Sequence, residues 1–338
     1  MNIFLIFKED AVSLKERLTE LAQNSDSGEY RFSFTQPDDA DFFLFLTHGL
    51  QHHEIIAIAT HEFVKKWPGR CFLWCDNDIP YPVLPGLYAS LPASDFDETL
   101  HRTIFYLSRS NNLIKSAGSS AGKFPEKYLA SFQGTLSSNV RKRLFKLKFK
   151  TDRILLRQVN QVWSSFIFGR GFDDQSALVA EYAQVMQYSK FVICPKGNGV
   201  SSYRFFETLE SGRVPLLISD LYVPPKLPGN MPYFLRLPEN EISRTEEYLI
   251  KNEIHFSEMS RAAKRVFDQF FADSKKVQYI GEQLNDILKT SNISGFKQLA
   301  QYQRRVKRVY TVKSVTTKLK VLLGRLLARV GSVRQSFK

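Results

Sequence analysis

Short, nearly continuous apolar segments alternate with amphipathic segments along this chain, and this alternation constrains its fold more than any other feature. The apolar segments include 41–46 (DFFLFL), 191–194 (FVIC) and 214–218 (VPLLI). A strand that is buried on both faces of a parallel sheet has this pattern. Between such segments lie stretches such as 12–22, whose leucines recur every three or four residues, as on one face of a helix. The alternation predicts an α/β protein built from strand–helix–strand units.

The chain is long enough for two domains, because 338 residues exceed the roughly 150 of one typical domain by about twofold. The segment 108–125 is rich in Ser, Asn and Gly and reads as a linker, after which the alternation restarts. We therefore expect two Rossmann-like domains that face a cleft, at 1–120 and 121–295, followed by a basic tail at 296–338. Ligands of such sheets bind at the carboxyl ends of the strands.

The composition excludes several classes of protein. Hydrophobic residues make up 43% of the chain and charged residues 24%, as in ordinary globular domains rather than disordered chains. Three cysteines without a CxxC pair argue against a disulfide framework and a structural zinc site. The first residues, MNIFLIFKED, predict a strand rather than a signal peptide. No stretch approaches the roughly 18 apolar residues of a membrane-spanning helix.

The net charge of +13 is concentrated at the C-terminus, because residues 301–338 contain eleven Lys or Arg and no Asp or Glu. From residue 319 to 330, Leu and Val recur at helical spacing, with the cations largely off that stripe. A cationic amphipathic helix of this kind is typical of contact with an anionic membrane, here through residues 315–338. We expect a cytoplasmic protein that is peripheral on the inner face of the membrane. Docking of this helix on the protein body is the alternative, and no motif supports binding to nucleic acid.

The segment 188–225 (YSKFVICPKGNGVSSYRFFETLESGRVPLLISDLYVPP) carries the clearest chemical signal. A buried strand runs into a loop that contains Lys196, Gly197 and a second glycine, and Ser202 then begins a helix. Free backbone N–H groups at a helix start favour a phosphate, and glycine lets the backbone approach an anion closely. A strand–loop–helix unit with solvated charges is the alternative, because the segment matches neither GxGxxG nor the P-loop.

Two charged residues on the following helix strengthen the phosphate hypothesis. Arg204 lies in the first turn, where the helix dipole disfavours a cation unless the cation binds an anion. A guanidinium group binds a diphosphate in a bidentate manner. Glu207 lies one turn further along, at the distance of a ribose from such a diphosphate.

These residues resemble the signature of the exostosin-like glycosyltransferases. The resemblance rests on Ser202-x-Arg204-x-x-Glu207 and Gly212-x-x-Pro215, preceded by SKFVICPKG. DDADFFLF and YLASFQGTLSSNVRKRLFKL resemble further family segments in the same order. The likeness covers about residues 35–240. It implies a GT-B fold, with two Rossmann-like domains and the donor held mainly by the second.

The resemblance also implies a function and a set of donor contacts. It implies inverting transfer of a sugar from a nucleoside-diphosphate sugar, with a UDP-sugar as the expected donor, to a glycan or lipid-linked acceptor in cell-surface polysaccharide synthesis. A glycan- or nucleotide-binding protein without turnover and a fucosyltransferase-like enzyme are the alternatives. The implied donor contacts are Lys196, Gly197, Ser202, Arg204 and Glu207, with Gly134 and Arg141 as a second edge.

The acceptor hydroxyl needs a general base, and the strand ends of the first domain are where it is expected. His48 follows the strand that ends at Leu46, and Asp76 and Asp78 follow the strand that ends at Cys75. Each is a candidate base, and a loop-capping role is the alternative. Asp76 and Asp78 also form a DxD tripeptide, which binds a metal in some transferases. Two-domain transferases usually hold the donor with basic and backbone groups, so no metal or other cofactor is expected.

Overall fold

Two parallel β-sheets with helices on their faces make up the chain. The computed structural model describes residues 1–7, 12–26, 28–34, 37–47, 52–107, 113–114, 125–159, 176–229, 232–293, 295 and 297–308. The first sheet lies before the predicted linker and the second lies after it. The expected α/β class with two Rossmann-like sheets is therefore confirmed.

The first sheet has six parallel strands in the order β2-β1-β3-β4-β5-β6. Its strands are β1 (Asn2–Ile6), β2 (Arg31–Ser33), β3 (Phe42–Thr47), β4 (Cys71–Cys75), β5 (Gly86–Tyr88) and β6 (His101–Thr103). The second sheet has five parallel strands in the order β11-β10-β9-β7-β8. Its strands are β7 (Tyr128–Gly134), β8 (Ile154–Gln158), β9 (Ser189–Pro195), β10 (Val214–Ile218) and β11 (Leu235–Arg236).

The helices follow the strands in both halves of the chain. They are α1 (Val12–Asn24), α2 (His52–Ala59), α3 (Glu62–Lys66), α4 (Asn139–Leu144), α5 (Ser176–Gln187), α6 (Tyr203–Glu210), α7 (Thr245–Asn252), α8 (Phe256–Val266), α9 (Asp273–Thr290) and α10 (297–308). The apolar pattern at 54–67 predicts one helix, and the structure has two, because His61 caps α3 through its Nδ1 and the N–H of Phe63.

Alternate residues of the first sheet enter two separate cores. Phe42, Leu44 and Phe72 face one layer, where α1 and α9 pack. Phe43 and Leu73 face the other layer, where α2, α3 and α10 pack. Every second residue of a strand points to the same face, so a strand covered on both faces is apolar throughout, as the sequence pattern predicted.

The C-terminal helices return to the first sheet. α9 packs against α1, β5 and β6, and α10 inserts Leu299, Tyr302 and Val306 into the core beside α2 and α3. The predicted boundaries at 120 and 295 remain a prediction. The amphipathic segment 315–338 lies outside the described residues, as does most of the predicted linker. Within the described part of the chain, no helix is long and apolar enough to cross a membrane.

Candidate functional site

The loops that follow β7 and β9 meet at the point where the strand order of the second sheet reverses. β7 and β9 are neighbours in the sheet. The chain continues from β7 to β8 on one side and from β9 to β10 on the other, so it leaves β7 and β9 in opposite directions. The crevice that this divergence creates at the carboxyl ends of the strands is where doubly wound sheets bind ligands. Gly134 ends β7 and Pro195 ends β9, so the predicted donor residues lie at this crevice.

Arg204 crosses from the first turn of α6 to the end of β7. Its side chain is buried, with 3% exposure, and its Nη2 donates to the backbone oxygen of Gln133. The guanidinium carbon lies 4.7 Å from the ring centre of Phe132 and 5.7 Å from that of Tyr182. Its Nε is buried and has no hydrogen-bond partner among the described residues. A buried hydrogen-bond donor without a partner costs free energy of desolvation, and an anionic ligand that accepts its hydrogen bond would recover that cost.

Arg141 approaches the same ring from α4. Its Nη2 lies 3.4 Å from the oxygen of Pro195, and its guanidinium carbon is 5.4 Å from the ring centre of Phe132. Burial first, and then the nearby charge of Arg204, lower the pKa of Arg141 to about 9. Its Nε is also buried without a partner. Among the described residues, neither guanidinium has a carboxylate within ion-pair distance.

Two glycines lie against these guanidinium groups. A Cβ at Gly134 would lie 3.2 Å from Nη2 of Arg204 and 2.7 Å from the ring of Phe132. A Cβ at Gly197 would lie 3.1 Å from Nη2 of Arg141. Because neither glycine has a side chain, the two guanidinium groups have room to lie against the backbone at these positions.

Ser202 and Glu207 lie on either side of Arg204 in α6. Ser202 is the N-cap residue, yet its buried Oγ makes no capping bond and has no partner within the part of the chain that the structure describes. Glu207 accepts a hydrogen bond from the hydroxyl of Tyr182 at 2.6 Å. Burial is the largest cause of a raised pKa at Glu207. The helix start therefore has an unused hydroxyl, and the next turn has a carboxylate that one tyrosine orients.

Lys196 differs from the other predicted donor residues. Its Nζ lies 2.7 Å from Oε2 of Glu239, so its charge is already paired. Its backbone oxygen accepts a hydrogen bond from Ser138 Oγ at 2.8 Å, and Ser138 also caps α4. The backbone of Lys196 thus joins the loop to α4, whereas Arg141 and Arg204 have no paired carboxylate among the described residues.

The carboxyl edges of the two sheets meet at Gly199. A Cβ at this residue would lie 2.5 Å from the backbone oxygen of Asp78 and 2.3 Å from Oγ of Ser90. The backbone N–H of Ser201 donates to the same Ser90 Oγ at 3.2 Å. The loop that follows β9, residues 196–202, is called the donor loop here. It is therefore in contact with the loop that follows β4.

Asp78 is the candidate base that lies at this junction. It is half-buried, and its Oδ1 accepts a hydrogen bond from the hydroxyl of Tyr106 at 3.0 Å. The ring of Tyr106 stacks on Tyr203, the first residue of α6, with 4.0 Å between centroids. The charge of Asp78 also acts on Arg141, whose pKa it raises against the effect of burial. Asp78 therefore lies within electrostatic reach of the guanidinium pair.

The other two candidate bases have different outcomes. Asp76 is buried, and its Oδ2 accepts a hydrogen bond from the N–H of Leu107 at 3.2 Å, so its role as a base stays a prediction. His48 lies outside the described residues. The described part of the chain contains no group of three His, Cys, Asp or Glu side chains that could hold a metal, and metal independence remains a prediction.

Sequence reasoning missed the aromatic residues of the site. Phe132 lies under both guanidinium groups, Tyr182 orients Glu207, and the Tyr106–Tyr203 stack joins the two sheets. Phe132 belongs to a buried strand and Tyr182 to the apolar face of α5, where aromatic residues usually serve the core. Only their position beside charged groups distinguishes them.

Comparisons with known proteins show which family part of this chain is similar to. Residues 105–249 match the model of the exostosin GT47 domain. The chain is 25% identical over 173 residues to the Exostosin-1 homolog of Caenorhabditis elegans, covering 48% of this chain and 44% of that protein. It is 54% identical over 44 residues to a probable glycosyltransferase of Arabidopsis thaliana, covering 13% of this chain and 8% of that protein. The chain thus spans less than half the length of these curated relatives.

A solved structure of Anabaena HepE in complex with UDP and glucose aligns with 84% of this chain and 99% of that chain, at 10% identity and a TM-score of 0.40. That superposition is loose and adds nothing to the fold, which the strand orders already show. The family match confirms the resemblance to the exostosin-like glycosyltransferases.

Proposed function

We propose that this member of the exostosin-like glycosyltransferases transfers a sugar from a nucleoside-diphosphate sugar to a glycan or lipid-linked acceptor. The observation that carries the proposal is the pair of buried guanidinium groups, Arg141 and Arg204, at the crevice of the second sheet, neither of which has a carboxylate partner in the described part of the chain. Two like charges in a buried site are unfavourable unless an anion of matching charge binds between them. A diphosphate carries that charge and accepts several hydrogen bonds.

The unused hydrogen-bond donors support the same ligand. The Nε atoms of Arg141 in α4 and Arg204 in α6 and the Oγ of Ser202, the N-cap of α6, are buried and have no hydrogen-bond partner among the described residues. The start of α6 adds free backbone N–H groups and the positive end of its dipole. Glu207, one turn along α6, is then suited to the ribose hydroxyls of the nucleotide.

The expected chemistry is a single displacement with inversion at the anomeric carbon. The bond from that carbon to the diphosphate oxygen breaks as the acceptor oxygen bonds on the opposite face. Negative charge grows on the leaving diphosphate, and Arg141 and Arg204 stabilise it electrostatically. Asp78 takes the proton of the attacking hydroxyl, because it lies on the loop of the first sheet that touches the donor loop.

A UDP-sugar is the proposed donor, without a metal ion. We place the reaction in cell-surface polysaccharide synthesis on the inner face of the membrane. The basic segment 315–338 provides peripheral attachment in this proposal, since cationic amphipathic helices bind anionic lipid.

Thermal unfolding with a panel of nucleotides tests the donor site. A ligand that binds only the folded protein stabilises it by about 2.7 kcal/mol at one hundred times its Kd. We expect UDP to raise the Tm by several degrees, uridine to have little effect because it lacks the diphosphate, and EDTA to leave the UDP effect unchanged. Mass spectrometry of reactions with different nucleotide sugars then identifies the transferred sugar. Absence of any nucleoside diphosphate effect on Tm would exclude the proposed donor site.

Tyr182→Phe tests the role assigned to Glu207. The change removes only the hydroxyl that donates to Glu207 and keeps the buried ring. Because this bond lowers the pKa of Glu207, its loss raises that pKa further and leaves the carboxylate less well oriented. We expect UDP affinity to fall about 10- to 100-fold by calorimetry, since one hydrogen bond to a charged group contributes about 1.5–3 kcal/mol. Tyr248→Phe, on α7, is the control, and an equal loss in both variants would contradict a specific role.

A further inference from the structure

The helix α10 presents a strongly cationic surface that the proposed site does not use. Leu299, Tyr302 and Val306 bury one stripe of this helix in the first domain. The opposite side carries exposed cations and no acidic residue: Lys297, Arg304, Lys307 and Arg308. Because the buried stripe fixes the rotation of the helix, these charges are held on one outward side.

Hydrogen bonds fix α10 to the loop that carries Asp78. The hydroxyl of Tyr302 donates to the backbone oxygen of Pro82 at 2.6 Å, and it lies 2.8 Å from Nε2 of His101. Nδ1 of His101 accepts from the N–H of Asp97, so Nε2 carries the proton and donates to Tyr302. Burial keeps this histidine neutral by lowering its pKa to about 4. The cationic helix and the loop after β4 are therefore one rigid unit.

The same loop has an exposed apolar tip. Ile79 is 74% exposed, the next residue after Asp78 and three residues before Pro82. Its N–H donates to Oδ1 of Asn77 at 3.0 Å, which holds the turn in shape. An exposed isoleucine in the loop that hydrogen-bonds the cationic helix matches the surface of an anionic bilayer, where lipid headgroups attract the cations and the apolar tip enters the interface. Nucleic acid offers phosphates but no apolar layer for Ile79.

We propose that the outward side of α10 and the tip at Ile79 form a docking surface for an anionic membrane, which delivers a lipid-linked acceptor to Asp78. The docking surface is additional to the segment 315–338 and belongs to the folded first domain. Only the delivery of the acceptor rests on the proposed function. A membrane held against this surface places a lipid-linked sugar next to the loop that touches the donor loop.

Vesicle sedimentation with the full chain tests the docking surface. The probes are vesicles of phosphatidylglycerol and phosphatidylcholine, vesicles of phosphatidylcholine alone, and a single-stranded RNA. We expect Arg304→Gln with Arg308→Gln to weaken binding to the anionic vesicles about 25-fold, at roughly fivefold for each cation removed. Ile79→Ser should weaken the same binding about tenfold. Binding of the unaltered chain should fall when phosphatidylglycerol is omitted and when salt is raised.

The matched control removes two exposed arginines from α8 in the second domain, Arg261→Gln with Arg265→Gln. This control should bind vesicles as the unaltered chain does. If the α10 and Ile79 variants also bind as the unaltered chain does, or if they lose only RNA binding, the docking surface is overturned. UDP stabilisation is measured on the same variants and should be unchanged. If the α10 and Ile79 variants lose vesicle binding and UDP stabilises neither the unaltered chain nor any variant, the docking surface is supported and the proposed function is refuted.

Discussion

Arg204→Ala is expected to lower kcat/KM for sugar transfer by about 10²–10³, the loss that follows removal of one group that stabilises developing charge. In the unaltered chain the guanidinium lies between Phe132 and Tyr182 with an unused buried Nε, so its removal takes away a donor that no neighbour replaces. Arg204→Lys should rescue little, because an ammonium group cannot bind a diphosphate in a bidentate manner. Initial rates with saturating acceptor and calorimetry with UDP measure the two effects.

The control for Arg204→Ala is Arg153→Ala. Arg153 lies just before β8, at the opposite edge of the same sheet, and forms an exposed pair with Glu253 at 2.8 Å. Removal of an exposed pair usually costs less than 1 kcal/mol of stability, and activity should be unchanged. Thermal melts of both variants separate loss of chemistry from loss of fold. Full transfer activity in a folded Arg204→Ala protein would show that the diphosphate does not bind Arg204 at this crevice.

Asp78→Asn is expected to reduce transfer by about 10²–10⁴ while UDP binding stays intact, because a general base contributes that much to rate. The amide keeps the shape of the side chain and still accepts the hydrogen bond of Tyr106. It also removes a negative charge that acts on Arg141, so UDP should bind at least as tightly as before. A large loss of kcat with unchanged UDP affinity is the result that identifies a base rather than a donor contact.

Asp38→Asn, at an exposed carboxylate of the first domain, is the matched control and should leave transfer unchanged. His48→Ala tests His48, the competing candidate for the general base. If Asp78→Asn retains transfer and His48→Ala loses it, then His48 is the base and the assignment to Asp78 is wrong.

The resemblance, which the comparisons confirm, and the phosphate hypothesis, which stays a prediction, both rest on local features. Strand, glycine-containing loop and helix start occur consecutively between 189 and 210, and local spacing alone indicates an anion site. Lys196 shows where local reasoning ends. Its partner, Glu239, is 43 residues away in sequence, so the pairing that neutralises its charge is a product of the fold.

By itself, the sequence determined that the chain forms two parallel α/β sheets and that the turn before Arg204 begins a helix with an unsatisfied end. These properties follow from hydrophobic periodicity and backbone hydrogen bonding, which act over a few residues. Only the tertiary structure decided that Arg141 and Arg204 share the ring of Phe132, that Asp78 touches the donor loop and that α10 joins the first domain. Those contacts join residues from distant parts of the chain, and packing between elements, rather than local spacing, sets them.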